Sequence, residues 1–200
     1  MKTRDHLVLG RYLINNCAVP QLLYHRKAFL LGCIEPDYNF FSYLRGMWRC
    51  EKFRGHNAEN SFLFLLRCAD DFDGRVLNSS WDYFRLGTMI HYIADAFTAP
   101  HNGFWKKGLL EHSAYESALH SSFKALLKSV CPERIMYWEY APLHRVYCAQ
   151  THNIKNDFRY ILTACLSAMK KYVLRTDKTG KIYGKCFNCA HPAQKLSAAQ

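Results

Sequence analysis

Apolar residues recur every three to four positions along most of this chain, the spacing of helices with one buried face. Leu7, Leu9, Leu13 and Ile14 predict a first helix over about 4–17, with those four on the buried side. Pro20 suits the first turn of a second helix reaching about Cys33. Glu35–Asn39, EPDYN, reads as a loop, because Pro36 disfavours helical backbone at Glu35. Phe40 to Arg54 is aromatic and basic and matches no single element. Asn57 is an N-cap for a helix over about 58–72 centred on FLFLL, and Gly74 stops it. Ser79 and Asp82 form a capping-box pair that opens a helix over about 80–98. At about 1.5 Å per residue that helix is near 28 Å long, enough to cross a domain. Further helices are predicted over about 109–129, 134–148 and 154–174. No alternating strand pattern competes, so the expected class is all-α: one helical bundle over residues 1–174, followed by a basic, partly ordered tail over 175–200.

Composition narrows this picture. With half of its 200 residues apolar, the chain is long enough to bury a core. It has no uncharged apolar run of about 18 residues, so no transmembrane helix is expected. The N-terminal MKTRDHLVLGRYLINN begins basic like a secretory signal, but Asp5 and His6 come early, Arg11 interrupts the apolar run and no small-residue cleavage site follows. The expectation is a protein that is not exported: cytoplasmic, and peripheral at a membrane if it meets one. Nine cysteines, mostly scattered among apolar residues, suit buried free thiols in a reducing compartment. Cys186 and Cys189 form one CxxC without a second pair, a weak zinc or redox signal. A formal net charge of +11 implies an anionic partner: phosphate, nucleic acid or an acidic membrane face.

The chemistry concentrates in RLGTMIHYIADAFTAPHNGFWKKGLLEHSAYE, Arg85 to Glu116. His91 and Asp95 are four residues apart, as are His112 and Glu116. On a helix that spacing places both side chains of a pair on one face, about 5–6 Å apart at Cβ, within reach of one metal ion. His101 follows Pro100, where the preceding helix is expected to have ended. One histidine in a helix is usually an ordinary core or surface residue; five mixed imidazole and carboxylate ligands within one stretch are a different matter. Structural zinc sites usually close with cysteine, whereas a His/Asp/Glu set leaves positions for water, as a hydrolytic site requires.

HYIADAFTAPHN followed by EHSAYE resembles the core signature of the zinc-dependent phospholipase C family, an all-α fold with three zinc ions that is related to the zinc-dependent single-strand-specific nucleases. AFLLGCIEPDYN (Ala28–Asn39) is similar to the family's LG-x-x-x-PD segment, RGHNAEN (Arg54–Asn60) to a segment with a ligand histidine, and HLVLGRYL (His6–Leu13) to its N-terminal ligand helix. The resemblance implies that Asp37, His56, His91 and Asp95 hold one zinc, and that His101, His112 and Glu116 hold a second. It implies that His6 and the Met1 amine and carbonyl hold a third, with Asp95 bridging to the first. Two or three ions are therefore expected, with Asp37 as the general base. In the secreted members the N-terminal amine is made by processing; here Met1 lies five residues before His6 and has to turn back to reach a metal. The gap from His101 to His112 is also shorter than in the secreted enzymes.

The implied reaction is phosphodiester hydrolysis, with a phospholipid giving diacylglycerol and a phosphorylated head group. A nuclease with the same metal chemistry is the alternative, using basic residues interleaved with aromatics as in FRGH, FWKK and the tail. The third reading is a non-catalytic zinc-containing helical module that binds acidic membranes. A monomer is expected. His120, four residues beyond Glu116, is read as a neighbour of the site or a surface residue; His25, His144, His152 and His191 are read as ordinary surface or core residues. Tyr92, Phe97, Phe104, Trp105 and MYWEY (Met136–Tyr140) are read mainly as core, with a lipid-facing mouth beside His101 as the second reading of Phe104–Trp105; Lys106 and Lys107 are read as facing solvent, with phosphate as the alternative.

Overall fold

The computed structural model describes residues 1–17, 19–39, 57–130 and 136–174. The Phe40–Arg54 stretch, His56, His191, the Cys186/Cys189 pair and the 175–200 tail lie outside the described residues. Within them the chain forms eight α-helices and no strand: α1 Thr3–Asn16, α2 Pro20–Tyr24, α3 Arg26–Tyr38, α4 Ala58–Phe72, α5 Ser80–Ala96, α6 Leu109–Lys128, α7 Tyr140–Cys148 and α8 Ile154–Tyr172. A short 3₁₀ turn, Ala99–His101, follows α5. The expected all-α class is what the chain adopts.

Local chemistry sets several boundaries. The Asn57 side chain accepts from Asn60 N at 2.7 Å, and the Asn153 side chain accepts from Asn156 N at 2.9 Å, so α4 and α8 both start at asparagine caps. Ser79 and Asp82 form the full reciprocal capping box of α5. Gly74, just past the end of α4, takes φ +74°, a left-handed conformation that suits glycine.

Three expectations about helix extent are corrected. The single helix from Pro20 to Cys33 is broken at His25, whose ring contacts Ser80 Oγ and the Asn78 carbonyl, at 3.0 and 3.1 Å, and stacks on Tyr83. The EPDYN loop is instead the last turn of α3, which runs through Pro36 to Tyr38. Tertiary packing overrides the local preference at Pro36. A Cβ built on Gly32 would lie 2.0 Å from the Phe84 carbonyl, and one on Gly87 2.1 Å from the Phe29 carbonyl. Only hydrogens at these two positions allow α3 and α5 to cross so closely, and that crossing holds α3 in helical form along α5. The helix predicted from 134 begins at Tyr140, and Met136, Tyr137 and Trp138 are 72%, 45% and 42% exposed rather than core. Leu7 is half-buried, while Asp5, His6 and Gly10 share the buried face of α1.

α5 is the central helix. It packs against α1, α3, α4 and α8, and thirteen of its residues are buried. Leu86, Ile90, Ile93 and Ala94 of α5 meet Ile161, Leu162, Cys165 and Met169 of α8 in one core. Tyr92 and Phe97 are buried as expected. Cys17, Cys33, Cys68 and Cys165 are buried free thiols, whereas Cys148 is exposed. No helix among the described residues is long and apolar enough to cross a membrane.

Candidate metal centre

Because α5 is sealed on nearly every side, its polar residues must find partners inside the protein. His91 is fully buried and donates from Nδ1 to the Cys33 carbonyl at 2.9 Å. That bond is available because the Gly32/Gly87 crossing brings the α3 backbone against α5. It fixes the ring, so that Nε2 faces Asp95 Oδ2 at 3.3 Å and Asp37 Oδ1 at 3.7 Å. Asp37 reaches this position because α3 continues one turn past Cys33.

His6 enters from α1. Its ring stacks on His91 with centroids 3.8 Å apart, and its Nε2 lies 3.1 Å from Asp95 Oδ1. Neither ring nitrogen makes a hydrogen bond of sound geometry to the described residues, although the side chain is 1% exposed. The chain start folds back into the same place. The Met1 amine is buried and donates to Asp95 Oδ1 at 2.8 Å; it also sits 3.1 Å from both Glu116 Oε1 and His101 Nε2.

The outer part of the cluster is built differently. The 3₁₀ turn delivers His101, and the first two turns of α6 deliver His112 and Glu116. His101 Nε2 and His112 Nε2 each lie 3.2 Å from Glu116 Oε1, and His101 Nδ1 is 3.7 Å from Asp95 Oδ2. Two compact groups therefore stand side by side, His6/His91/Asp95 and His101/His112/Glu116, each with its ligand atoms within 4.8 Å of one another. Asp95 and the Met1 amine join them. Of the residues singled out in the sequence, Met1, His6, Asp37, His91, Asp95, His101, His112 and Glu116 converge here.

The electrostatics follow from this crowding. Burial disfavours the charged Met1 amine, but Asp95 and Glu116 outweigh it and raise its pKa to about 10. Burial also opposes ionised Asp95, yet His101, the N-terminal ammonium and the other rings hold its carboxyl well below the usual range. Glu116 is lowered too, with hydrogen bonds from His101 and His112 overcoming its burial. Burial, then repulsion from His91, drives His6 down to about 3, leaving it a neutral ring. Burial opposes a charge on His91 as well, but Asp95 and Asp37 prevail and raise it.

This donor set fits zinc. The cluster combines imidazole nitrogens with carboxylate oxygens, and no cysteine among the described residues joins either group. His6 is a buried neutral ring whose nitrogens lack sound hydrogen bonds, and Asp37 Oδ2 is a buried oxygen without a hydrogen-bond partner among the described residues. Such groups are costly unless a ligand completes them. The His91 Nδ1 bond to a carbonyl is the usual support of a metal-binding histidine.

Several supporting residues escape a reading of the sequence. Asp157 of α8, fully buried, accepts from Ala99 N at 2.9 Å and from the Tyr115 hydroxyl. One carboxylate thus ties down both the turn that carries His101 and the helix residue next to Glu116. Asn102 donates to the Ala96 and Thr98 carbonyls, and its side-chain oxygen accepts from His144 Nε2 at 2.9 Å. Asp5 accepts from His120 Nδ1 at 2.7 Å, so His120 is a neighbour of the site through the residue before His6. The one sequence signal for Asp157 is a carboxylate directly before Phe158 on an otherwise apolar helix face. His25 is held by Ser80, and His152 stacks on Phe104, which is half-buried beside Trp105.

A family model described as zinc dependent phospholipase C matches residues 5–178, which cover every ligand named above except Met1. Neither a curated protein nor a solved structure matches the chain.

Proposed function

The chain belongs to the zinc-dependent phospholipase C family, and we propose that it hydrolyses phosphate diesters, cleaving a phospholipid to diacylglycerol and a phosphorylated head group. The observation that carries this reading is the joining of the two ligand groups through Asp95 and the Met1 amine into one nitrogen–oxygen cluster. One group is sealed in the core and the other opens towards solvent, so a substrate phosphate has one direction of approach.

In this reading His6, Asp95 and the Met1 amine, then Asp37, His91 and Asp95, then His101, His112 and Glu116, hold two or three zinc ions. When bound, zinc neutralises phosphate charge and lowers the pKa of water towards about 7. The chain's own residues supply orientation and proton handling. The Cys33 carbonyl holds the His91 ring. Asp157 holds the His101 turn against α6. Asp37 acts as the general base: its Oδ2 makes no hydrogen bond to the described residues and can take a proton from the attacking water. Water then adds to phosphorus as the bond from phosphorus to the diacylglycerol oxygen breaks, and that oxygen takes up a proton from solvent to leave as the alcohol.

The test pairs metal counting with hydrolysis. Protein purified without chelator should contain zinc and cleave a chromogenic phosphorylcholine diester, and the cleavage should stop when zinc is removed. Single-stranded DNA is assayed beside it. Cleavage of DNA but not of the lipid-like ester would move the substrate to nucleic acid, and bound zinc with neither activity would leave the non-catalytic module.

A further inference from the structure

Ten residues connect His101 to His112, and they form the outer rim of the metal centre. The connection is ordered by its own contacts. Trp105 N donates to the Asn102 carbonyl at 3.0 Å, and the Lys106 amine donates to the Gly103 carbonyl at 2.9 Å. The Lys107 amine sits 5.1 Å over the Trp105 ring, which packs edge-on against Tyr115 of α6. Beyond them Leu109 and Leu110 begin α6 and are 87% and 84% exposed. Successive residues on a helix point about 100° apart, so two neighbours this exposed mean that the end of α6 stands clear of the protein on more than one side.

An apolar pair left in water on a rigid element is unfavourable unless something covers it. Its neighbours restrict what that can be. Lys106 and Lys107 are exposed, and Glu111 is the one carboxylate between His101 and His112. The chain carries +11 overall. A second copy of such a tip would bring like charges together. A nucleic acid would answer the lysines but offer no apolar depth for two aliphatic side chains. A bilayer with anionic head groups supplies both, an acyl layer for the leucines and negative charge for the lysines. We propose that the Phe104–Leu110 rim docks on an anionic lipid bilayer, with Leu109 and Leu110 inserting and Lys106 and Lys107 resting among the head groups. His112 follows Leu109 by three residues and shares its face of α6, so docking at this rim turns the open side of the ligand cluster towards the lipid. The choice of a bilayer rests on the phospholipid reading above.

Co-sedimentation with vesicles tests this, using the Glu116→Gln chain so that lipid is not consumed. Vesicles of phosphatidylcholine alone are compared with vesicles that also contain phosphatidylserine. The Glu116→Gln chain should bind the anionic vesicles more tightly. Adding Leu109→Ser and Leu110→Ser should weaken binding to both kinds, by about tenfold for each leucine. Lys106→Gln with Lys107→Gln should remove much of the preference for anionic vesicles, about fivefold for each lysine. Both pairs are exposed, and the lysine contacts to Gly103 and Trp105 lie at the surface, so thermal melting should change little. As a gain of signal, Leu110→Trp should keep binding and its emission should shift to the blue with vesicles. Sedimentation unchanged by the leucine substitutions, or an unshifted Leu110→Trp emission, overturns the docking face. Self-association that the leucine substitutions abolish while vesicle binding stays intact overturns it in favour of a second copy. Failure of this proposal is distinct from failure of the last. Leucine-dependent binding by a protein that holds no zinc sinks the hydrolase alone, and zinc-dependent ester cleavage with leucine-independent binding sinks the docking face alone.

Discussion

His6, His91 and Asp95 reach one another from two helices far apart in the sequence and are at most 2% exposed, whereas His101, His112 and Glu116 come from one short stretch and keep side-chain exposures of 12%, 29% and 19%. The inner group is a product of the whole fold: it needs α1 folded back, α3 pressed on α5 through two glycines, and the chain start buried. The outer group needs only a turn and the beginning of a helix, held in place by Asp157. In the proposed reading the difference gives the two groups separate tasks. A sealed group fixes charge and geometry, and a part-open one exchanges ligands with solvent. It also predicts that the two groups fail differently.

The largest effect is expected at Asp95, the carboxylate common to both. Asp95→Ala removes the partner of a buried ammonium and of the His6/His91 stack, and lost pairing of a buried charge costs about 3–5 kcal/mol. The variant should melt well below the wild type and should lose zinc from both groups. Glu116→Gln is the contrast: it should strip zinc from the outer group while the inner group keeps its share. Titration with a chelator, read by metal analysis and by melting, separates the two. Equal zinc loss in both variants would break the division into inner and outer groups.

How far these groups were legible in the sequence follows the same division. His112 and Glu116, and likewise His91 and Asp95, declare themselves because four-residue spacing on a helix needs no tertiary information. The caps at Asn57 and Ser79 are readable for the same reason. Asp37 is suggested by resemblance, but its route to His91 is not: local preference at Pro36 predicts a loop, and the packing of Gly32 against Phe84 makes a helix instead. Asp157 and Asn102 are not legible in the sequence, because nothing local marks a side chain that works by tying down a turn. MYWEY reads as core yet is largely exposed, because aromatic composition carries no information on which face of a bundle a segment occupies.

Asp157 gives the next effect in size. Asp157→Ala leaves the Ala99 amide and the Tyr115 hydroxyl without their acceptor, and unpaired groups of this kind cost about 2 kcal/mol in total where water enters only in part. The His101 turn loosens with them. Loss of such a support weakens metal affinity by about 10–100-fold, and here the loss should fall on the outer group alone. Asp157→Asn, which keeps an acceptor for Ala99, should be milder on both counts. If chelator removes zinc from the inner group of Asp157→Ala as readily as from the outer, the two groups are not separately supported.

The smallest effect sharpens the comparison by touching neither group. Asp82 closes the capping box at the start of α5, where it also meets Arg75. Burial works to raise its pKa, but the bonds from Arg75, Ser79 and Asn78 prevail and lower it to about 2. A depressed carboxyl pKa contributes stability that is complete above the ordinary value near 4 and is lost as the pH falls towards 2. Wild type and Asp82→Asn should therefore differ by about 1 kcal/mol at pH 6, and the difference should shrink across that acid window, read from urea unfolding at each pH. Their zinc content at neutral pH should be equal, because the cap lies at the opposite end of α5 from His91 and Asp95. Zinc loss on removing the cap would mean that the inner group depends on the integrity of all of α5 rather than on its packed C-terminal half, and the contrast between a fold-built and a locally built group would then be one of degree.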